Sequence, residues 1–259
     1  MIKSLIFSAA CCTALATAGF AAVPDHALFS EVLAAHVKDG RVDYKTLKDD
    51  ARLPLYLQQL AATDPEKLPA GADQLAFWLN AYNAYTLKLI IDRRPTKSIT
   101  QIGHGGLALG SLLKTTAWDI RFAEIGGRKY TLNEIEHEVI RRRFQDPRAH
   151  FALNCASDSC PVLRQEAYTS DKLDQQLDDQ AREFLGDPTR NRFDLTTKTA
   201  WLSSLFSWYQ KDFGEDEHAT LLAAAKYAPA EIRRAIEADP AGWTVKHLAY
   251  DWSLNEAKK

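Results

Sequence analysis

Two cysteines separated by four residues are the part of this sequence best suited to chemistry. Cys155 and Cys160 enclose a short polar loop, and Pro161 directly follows the second thiol. A pair of thiols can form a disulfide, whereas a single thiolate can attack an acyl group as a nucleophile. The sequence leaves three alternatives open: a structural disulfide, a reactive thiol, or a metal site that includes His150.

Two histidines near the cysteines are candidate general bases for a reactive thiol. His150 begins the segment that leads to Cys155, and His137 lies in the preceding predicted helix. Such an imidazole is usually oriented by an amide or a carboxylate. Asn80 is the candidate catalytic amide, and the candidate orienting or substrate-binding residues are Asn83, Asn154, Asp251 and Arg141.

The order of these residues differs from that in papain-like and transglutaminase-like enzymes, where the cysteine precedes the histidine. Here His137 and His150 precede both cysteines, whereas His218 and His247 follow them. The two later histidines therefore remain alternative bases.

The local pattern predicts how the cysteines are held. Residues 150–154 alternate as a short strand would, which places Cys155 at the carboxyl end of that strand. Pro161 favours the first position of a helix, so Cys160 would lie at a helix amino terminus, where the helix dipole stabilises a thiolate.

The strongest predicted element is a helix from Asp73 to Arg94. Apolar residues cover nearly all of its faces, which is typical of a buried central helix, and Pro95 ends it. Asn80 and Asn83 interrupt this apolar surface. Because a buried amide must be hydrogen-bonded, these two either tie down neighbouring loops or orient a catalytic group.

Other patterns predict a mixed architecture. Gly126 and Gly127 predict the turn of a hairpin, and Thr131 with Glu134 forms a capping box that begins the helix of His137. Residues 245–255 alternate as a final strand. Long helices with a few short strands favour an α+β fold: a mostly helical single domain with a small, mainly antiparallel sheet and a buried central helix.

The first residues have the features of an export signal. Lys3 precedes an uncharged, apolar or small stretch, and the sequence predicts a cleaved signal peptide over residues 1–21 and one globular domain over 22–259. The mature protein would be periplasmic or secreted, with no stable membrane span. A lipoprotein attached through Cys11 or Cys12 is the alternative.

The composition and charge indicate which kinds of ligand or partner the protein would bind. Charged residues make up 25% of the 259, the net charge is −2, and no basic stripe points to nucleic acid. The glycine-rich stretch 99–113 lacks phosphate-loop spacing and is predicted to be a mobile surface loop. No cofactor is implied. The ligand would be a small molecule or a peptide, and the oligomeric state stays open.

Several motifs together resemble the domain-of-unknown-function family 547. In chain order they are residues 39–44 (DGRVDY), 77–84 (FWLNAYNA), 135–141 (IEHEVIR), 150–155 (HFALNC), 159–161 (SCP), 208–213 (WYQKDF) and 250–255 (YDWSLN). The resemblance implies a fold shared with exported bacterial proteins and with plant proteins that join this domain to a coiled coil. It implies no established activity.

Three functions follow from these patterns. The first is a thiol-dependent hydrolase or acyl transferase on peptide-like or thiol substrates, with Cys155 or Cys160 as nucleophile. The second is a non-catalytic envelope binding module whose loop is fixed by a disulfide. The third is a thiol–disulfide exchange protein, although such proteins favour two residues between their cysteines.

Overall fold

The computed structural model describes residues 24–104 and 106–258, and helices dominate it. The predicted signal peptide lies outside these residues. The elements of the first half are α1 (Ala27–His36), β1 (Val37–Lys38), β2 (Arg41–Val42), α2 (Tyr44–Leu47), α3 (Arg52–Ala62), α4 (Ala72–Arg93), α5 (Gly106–Leu113), β3 (Ala123–Ile125), β4 (Arg128–Tyr130) and a π-helix (Glu134–Arg141).

The second half continues directly from the π-helix. Its elements are α6 (Arg142–Phe144), α7 (Ala149–Ala152), α8 (Leu173–Gly186), β5 (Arg192–Asp194), β6 (Thr199–Ser203), α9 (Ser204–Trp208), α10 (Gln210–Phe213), α11 (Glu217–Ala225), α12 (Ala230–Ala238) and β7 (Thr244–Leu248). Short 3₁₀ turns connect several of them.

The helix α4 is the centre of the fold, as the apolar pattern predicts. Its residues from Leu75 to Leu87 are all buried, and it packs against α3 and the π-helix. The chain enters it through Gly71, whose φ of 87° favours glycine, and leaves it at Arg94 in the left-handed region. Asp73, where the sequence predicts the helix to begin, therefore lies within its first turn.

The strands form small, mainly antiparallel sheets. β1 pairs with β2, and β3 pairs with β4 around the predicted Gly126–Gly127 turn. In the three-stranded sheet, β6 pairs antiparallel with β5 and parallel with β7, with Leu202 opposite His247. These sheets beside long helices confirm the predicted α+β class.

Two apolar clusters meet at the segment before the cysteines. The larger surrounds α4, and the smaller lies between α8, β6, α9 and α11. In α7, Phe151 belongs to the smaller cluster, whereas Ala152 and the following Leu153 belong to the larger. The residues that follow α7 are therefore held from both sides.

The predicted strand over residues 150–154 is wrong, because α7 occupies Ala149–Ala152. The Asp146 carboxylate accepts a hydrogen bond from the Arg148 backbone at 2.9 Å, and Pro147 fixes the next φ angle. Together they start a helical turn, and the chain becomes extended only at Leu153.

Three further predictions about local structure are corrected. No helix follows Cys160, because side chains take up the next carbonyls: Asn154 binds that of Pro161, and Gln180 binds that of Val162. The final strand ends at Leu248, since later backbone groups bond to loops instead of a strand. The predicted glycine-rich loop contains α5.

None of the helices described for residues 24–104 and 106–258 combines the length and apolar character needed to cross a bilayer.

Candidate active site

A cavity of about 160 Å³ lies between the two clusters, beside the cysteine loop. Its wall is mainly aromatic, and it also contains both cysteines, one histidine and one carboxylate. Its lining residues include Tyr82, Trp118, Glu136, His150, Cys155, Cys160, Trp208, Tyr209, Tyr250 and Trp252.

The two cysteines are joined as a disulfide at the edge of this cavity. Their Cα atoms are 6.1 Å apart, within the ordinary range for a disulfide. Cys160 is buried, whereas Cys155 is partly exposed. The backbone N–H of Cys155 points at Sγ of Cys160 at 2.8 Å.

Two hydroxyl groups surround the sulfur of Cys155. Oγ of Ser157 lies 2.8 Å from Sγ, and Oη of Tyr250 lies 3.2 Å from it. Burial raises the pKa of Tyr250 to about 12, so its phenol stays protonated and can donate at neutral pH. A thiolate on Cys155 would therefore have two donors in reach.

Neighbouring segments hold the cysteine loop rigidly. The guanidinium of Arg190 donates to the backbone carbonyls of Cys160 and Asp158, each at 2.8 Å. The carboxyl-terminal segment pairs with the same loop, since Asp158 N–H donates to the carbonyl of Ser253 at 2.8 Å. Rigid placement of a sulfur is what a catalytic or exchange thiol requires.

His150 has a carboxylate partner at one of its two ring nitrogens. Its Nε2 lies 2.6 Å from Oδ2 of Asp212, and its ring stacks on Tyr209 with centroids 4.0 Å apart. Only 3% of the His150 side chain is exposed. Its other nitrogen, Nδ1, has no hydrogen-bond partner among the described residues.

Asp212 is held ionised by two donors. The hydrogen bond from His150, together with that from Arg141, keeps the pKa of this carboxyl below its usual range. Arg141 binds both carboxylate oxygens, through Nε at 2.6 Å and Nη2 at 3.0 Å. Paired in this way, the carboxylate can orient the His150 ring.

His137 lies outside the cavity and cannot offer its Nδ1 as a base. Nη1 of Arg141 donates to this nitrogen at 2.9 Å, so Nδ1 is already an acceptor. His137 and Arg141 are four residues apart in the π-helix and lie in contact. Of the two, Arg141 contacts Asp212.

The four other polar residues predicted for the site shape the chain instead of facing the cavity. Asn80 exchanges two hydrogen bonds with the backbone of Tyr168, at 2.8 and 2.9 Å. Asn83 does the same between Ala152 and Asn154, with both distances 2.9 Å.

The remaining two are Asn154 and Asp251. The Asn154 side chain donates to the Pro161 carbonyl and accepts from the Ala156 N–H, so it folds the cysteine loop. Asp251 is exposed, and its carboxylate accepts from the backbone of Ser253 within a turn. Neither residue contacts a histidine in the part of the chain described. His218 and His247 are both exposed and do not line the cavity.

The described residues contain no group of three or more metal-binding side chains, so they offer no ligand set for the metal alternative.

Two carboxylates of this site were not identified from the sequence. Asp212 is 62 residues from its partner His150, and Glu136 lies 73 residues from Tyr209, which donates to it. Glu136 lies in the π-helix, a rare form that occurs often at functional sites. The motifs in residues 135–141 and 208–213 contain both carboxylates, but no local spacing connects the two motifs.

Comparison with known proteins gives one family. The family described as "Protein of unknown function, DUF547" matches residues 65–185, which confirms the resemblance. No curated protein matches the chain, and no solved structure does. Asp212, Tyr250 and Trp252 lie beyond the matched segment. Residues 65–185, which carry His150 and both cysteines, are thus similar to the DUF547 family over somewhat less than half of the chain.

Proposed function

We propose that this cavity is the active site of a thiol-dependent hydrolase or acyl transferase, with Cys155 as nucleophile. The observation that carries this proposal is the buried His150, which lines the same cavity as Cys155 and is hydrogen-bonded to the partly exposed Asp212 at 2.6 Å. A cysteine, a histidine and an acid in one site are the parts of an activated thiol, whatever their order in the chain.

The roles are assigned from the hydrogen bonds of each group and from the cavity wall that His150 shares with Cys155. His150, held at Nε2 by Asp212, takes the thiol proton through Nδ1 and leaves a thiolate on Cys155. The hydroxyls of Ser157 and Tyr250 stabilise that thiolate. Arg141 keeps Asp212 ionised and is a positioning residue, as is Asp212 itself.

The reaction proceeds in two balanced steps. The thiolate attacks the acyl carbon, so a carbon–sulfur bond forms and the bond to the leaving amine or thiol breaks, with the imidazolium supplying the proton. Water or an acceptor then attacks the thioester, the acyl group leaves, and the thiol is regenerated. The substrate is therefore a peptide-like amide or a thioester.

The disulfide is the resting form in this proposal. A dithiol reductant transfers two electrons and two protons to it, which frees both thiols and leaves the reductant as a disulfide. We also propose that the mature chain is periplasmic or secreted, because the predicted export signal leads to compartments where paired cysteines are oxidised.

Thiol–disulfide exchange is the second candidate, and one contact favours it. The backbone N–H of Cys155, 2.8 Å from Sγ of Cys160, would stabilise a thiolate on Cys160 after reduction. In this alternative both cysteines are required, whereas acyl transfer requires only Cys155.

Single cysteine variants separate the two candidates. Hydrolysis of activated ester and thioester probes is measured for the reduced wild type, Cys160→Ala and Cys155→Ala. Acyl transfer predicts that Cys160→Ala is active without reductant and that Cys155→Ala falls to the buffer rate. If both variants still hydrolyse the esters, the proposal is contradicted. If only the wild type reduces a disulfide probe, thiol–disulfide exchange is favoured.

A further inference from the structure

The cavity combines a cage of aromatic rings with one buried carboxylate. Six of its lining residues are aromatic: Tyr82, Trp118, Trp208, Tyr209, Tyr250 and Trp252. Tyr250 and Trp252 lie 4.5 Å apart between ring centroids, and Trp208 stacks on Trp252 at 5.6 Å. Trp208, Tyr250 and Trp252 thus form one continuous aromatic wall of the cavity that also contains the disulfide.

Glu136 is the acidic residue in this wall. It is 7% exposed, and it accepts a hydrogen bond of 2.6 Å from the hydroxyl of Tyr209. Among residues 24–104 and 106–258, no Lys or Arg lies within ion-pair distance of its carboxylate, and none lines the cavity. The nearby Arg141 is already committed to Asp212.

The hydrogen bond from Tyr209 offsets part of the cost of burying the Glu136 carboxylate, and a cationic ligand would offset more of it. Transfer of a charge out of water carries a large free-energy penalty, which a paired opposite charge offsets. Aromatic faces carry partial negative charge and attract cations, most strongly where water is excluded. The carboxylate and the rings therefore favour the same kind of ligand, a positively charged group with apolar surroundings.

The volume limits the size of that group. A cavity of about 160 Å³ is close to the engineered cavity of about 150 Å³ that accepts one benzene molecule. Such a space holds a group of roughly six or seven heavy atoms. An alkylammonium head group has this size, and the rest of a larger ligand would extend out of the cavity.

We propose that the cavity binds an alkylammonium group, with Glu136 as counter-ion and the aromatic rings as its walls. One consequence of this inference rests on the proposed function: the substrate would be an amide or thioester that carries an alkylammonium group close to its acyl carbon. Binding of the cation itself does not depend on the thiol.

The test compares two ligands that differ only in charge. Choline and its neutral isostere, in which carbon replaces the quaternary nitrogen, are titrated into the oxidised protein and followed by calorimetry and tryptophan fluorescence. Choline should bind at least tenfold more tightly. Equal affinities, or no binding of choline and of n-butylammonium, would overturn the proposal. Tighter binding of n-butylammonium than of choline would support it and identify a primary, lysine-like amine.

A matched pair of variants tests the role of the carboxylate. Glu136→Gln keeps the shape and a hydrogen-bond acceptor for Tyr209 but removes the charge, and it should weaken cation binding at least tenfold without affecting the neutral isostere. Glu138→Gln, at an exposed position of the same helix, should change neither the affinity for the cation nor that for the neutral isostere. Unchanged cation binding in Glu136→Gln would overturn the proposal. Should that variant not fold, the comparison of the two ligands on the wild type is the deciding test.

The oxidised protein is used throughout, so the two proposals can fail separately. Cation binding without hydrolysis after reduction would contradict the thiol enzyme alone. Hydrolysis without any charge preference would contradict the alkylammonium site alone.

Discussion

Of the histidines in the described part of the chain, two are buried, and their surroundings differ in charge. His26, before α1, faces the hydroxyl of Tyr56 at 2.7 Å, and its Nε2 has no partner within the described residues. His150 faces the carboxylate of Asp212 at 2.6 Å. Both rings are buried, but of the two only that of His150 is hydrogen-bonded to a carboxylate.

This difference in hydrogen-bond partner makes His26 a structural histidine and His150 a candidate base. Burial lowers the pKa of His26 to about 4, although the carboxylates of Asp25 and Asp73 act in the opposite direction. Its ring is therefore neutral at physiological pH and serves packing. His150 has the acid, the free Nδ1 and the shared cavity wall with Cys155 that a general base requires.

The largest expected effect comes from removing the paired histidine. In the Cys160→Ala background, His150→Ala should reduce ester hydrolysis by about 10²- to 10⁴-fold, the usual contribution of a general base. His26→Gln is the matched control and should leave the rate unchanged. Equal losses in the two variants would mean that both act through folding, which a thermal melt of each variant would reveal.

The second effect concerns stability and pH. Unfolded His26 binds a proton near the ordinary histidine pKa of 6.5, and folded His26 only near 4. Its contribution is therefore fully present above pH 6.5 and is lost as the pH falls toward 4, by about 3 kcal/mol. Urea unfolding at several pH values measures this loss.

The neutral variant sharpens that comparison. His26→Gln does not titrate, so its free energy of unfolding should fall by about 3 kcal/mol less than that of the wild type between about pH 7 and pH 4. Identical pH dependence in the two proteins would contradict the assignment of His26 as a buried neutral ring.

The smallest expected effect concerns Asn80 and tests whether this amide is structural or catalytic. Asn80→Ala leaves the N–H and carbonyl of Tyr168 unpaired in the core and should lower the free energy of unfolding by about 2 kcal/mol. Alkylation of Cys155 in the folded variant should proceed at the wild-type rate. A slower alkylation without loss of stability would return Asn80 to the catalytic group in which the sequence placed it.

The parts of the fold that local sequence determines were predictable. The buried helix is predicted over Asp73–Arg94 and occurs over Ala72–Arg93, because its apolar pattern and Pro95 are local signals. The capping box also forms, with both hydrogen bonds at 3.0 Å. The strand predicted for the short apolar run at residues 150–154 is wrong, because so few residues fit a strand and a helical turn equally well.

The site was predictable only in part. The sequence pointed to His150, Cys155 and Cys160, which all line the cavity, because they are neighbours along the chain. Asp212 and Glu136 find their partners across more than sixty residues, through packing of the two apolar clusters. Periodicity and spacing carry no information about such contacts.

The most direct test of the central claim is the pH dependence of Cys155 alkylation. Iodoacetamide labelling of Cys160→Ala is followed by intact mass from about pH 4 to pH 10. If His150 activates the thiol, the rate reaches half of its maximum well below about 8.5, the pKa of a free cysteine, and His150→Ala moves this midpoint upward. A midpoint at about 8.5 or above that does not respond to His150→Ala would contradict the account.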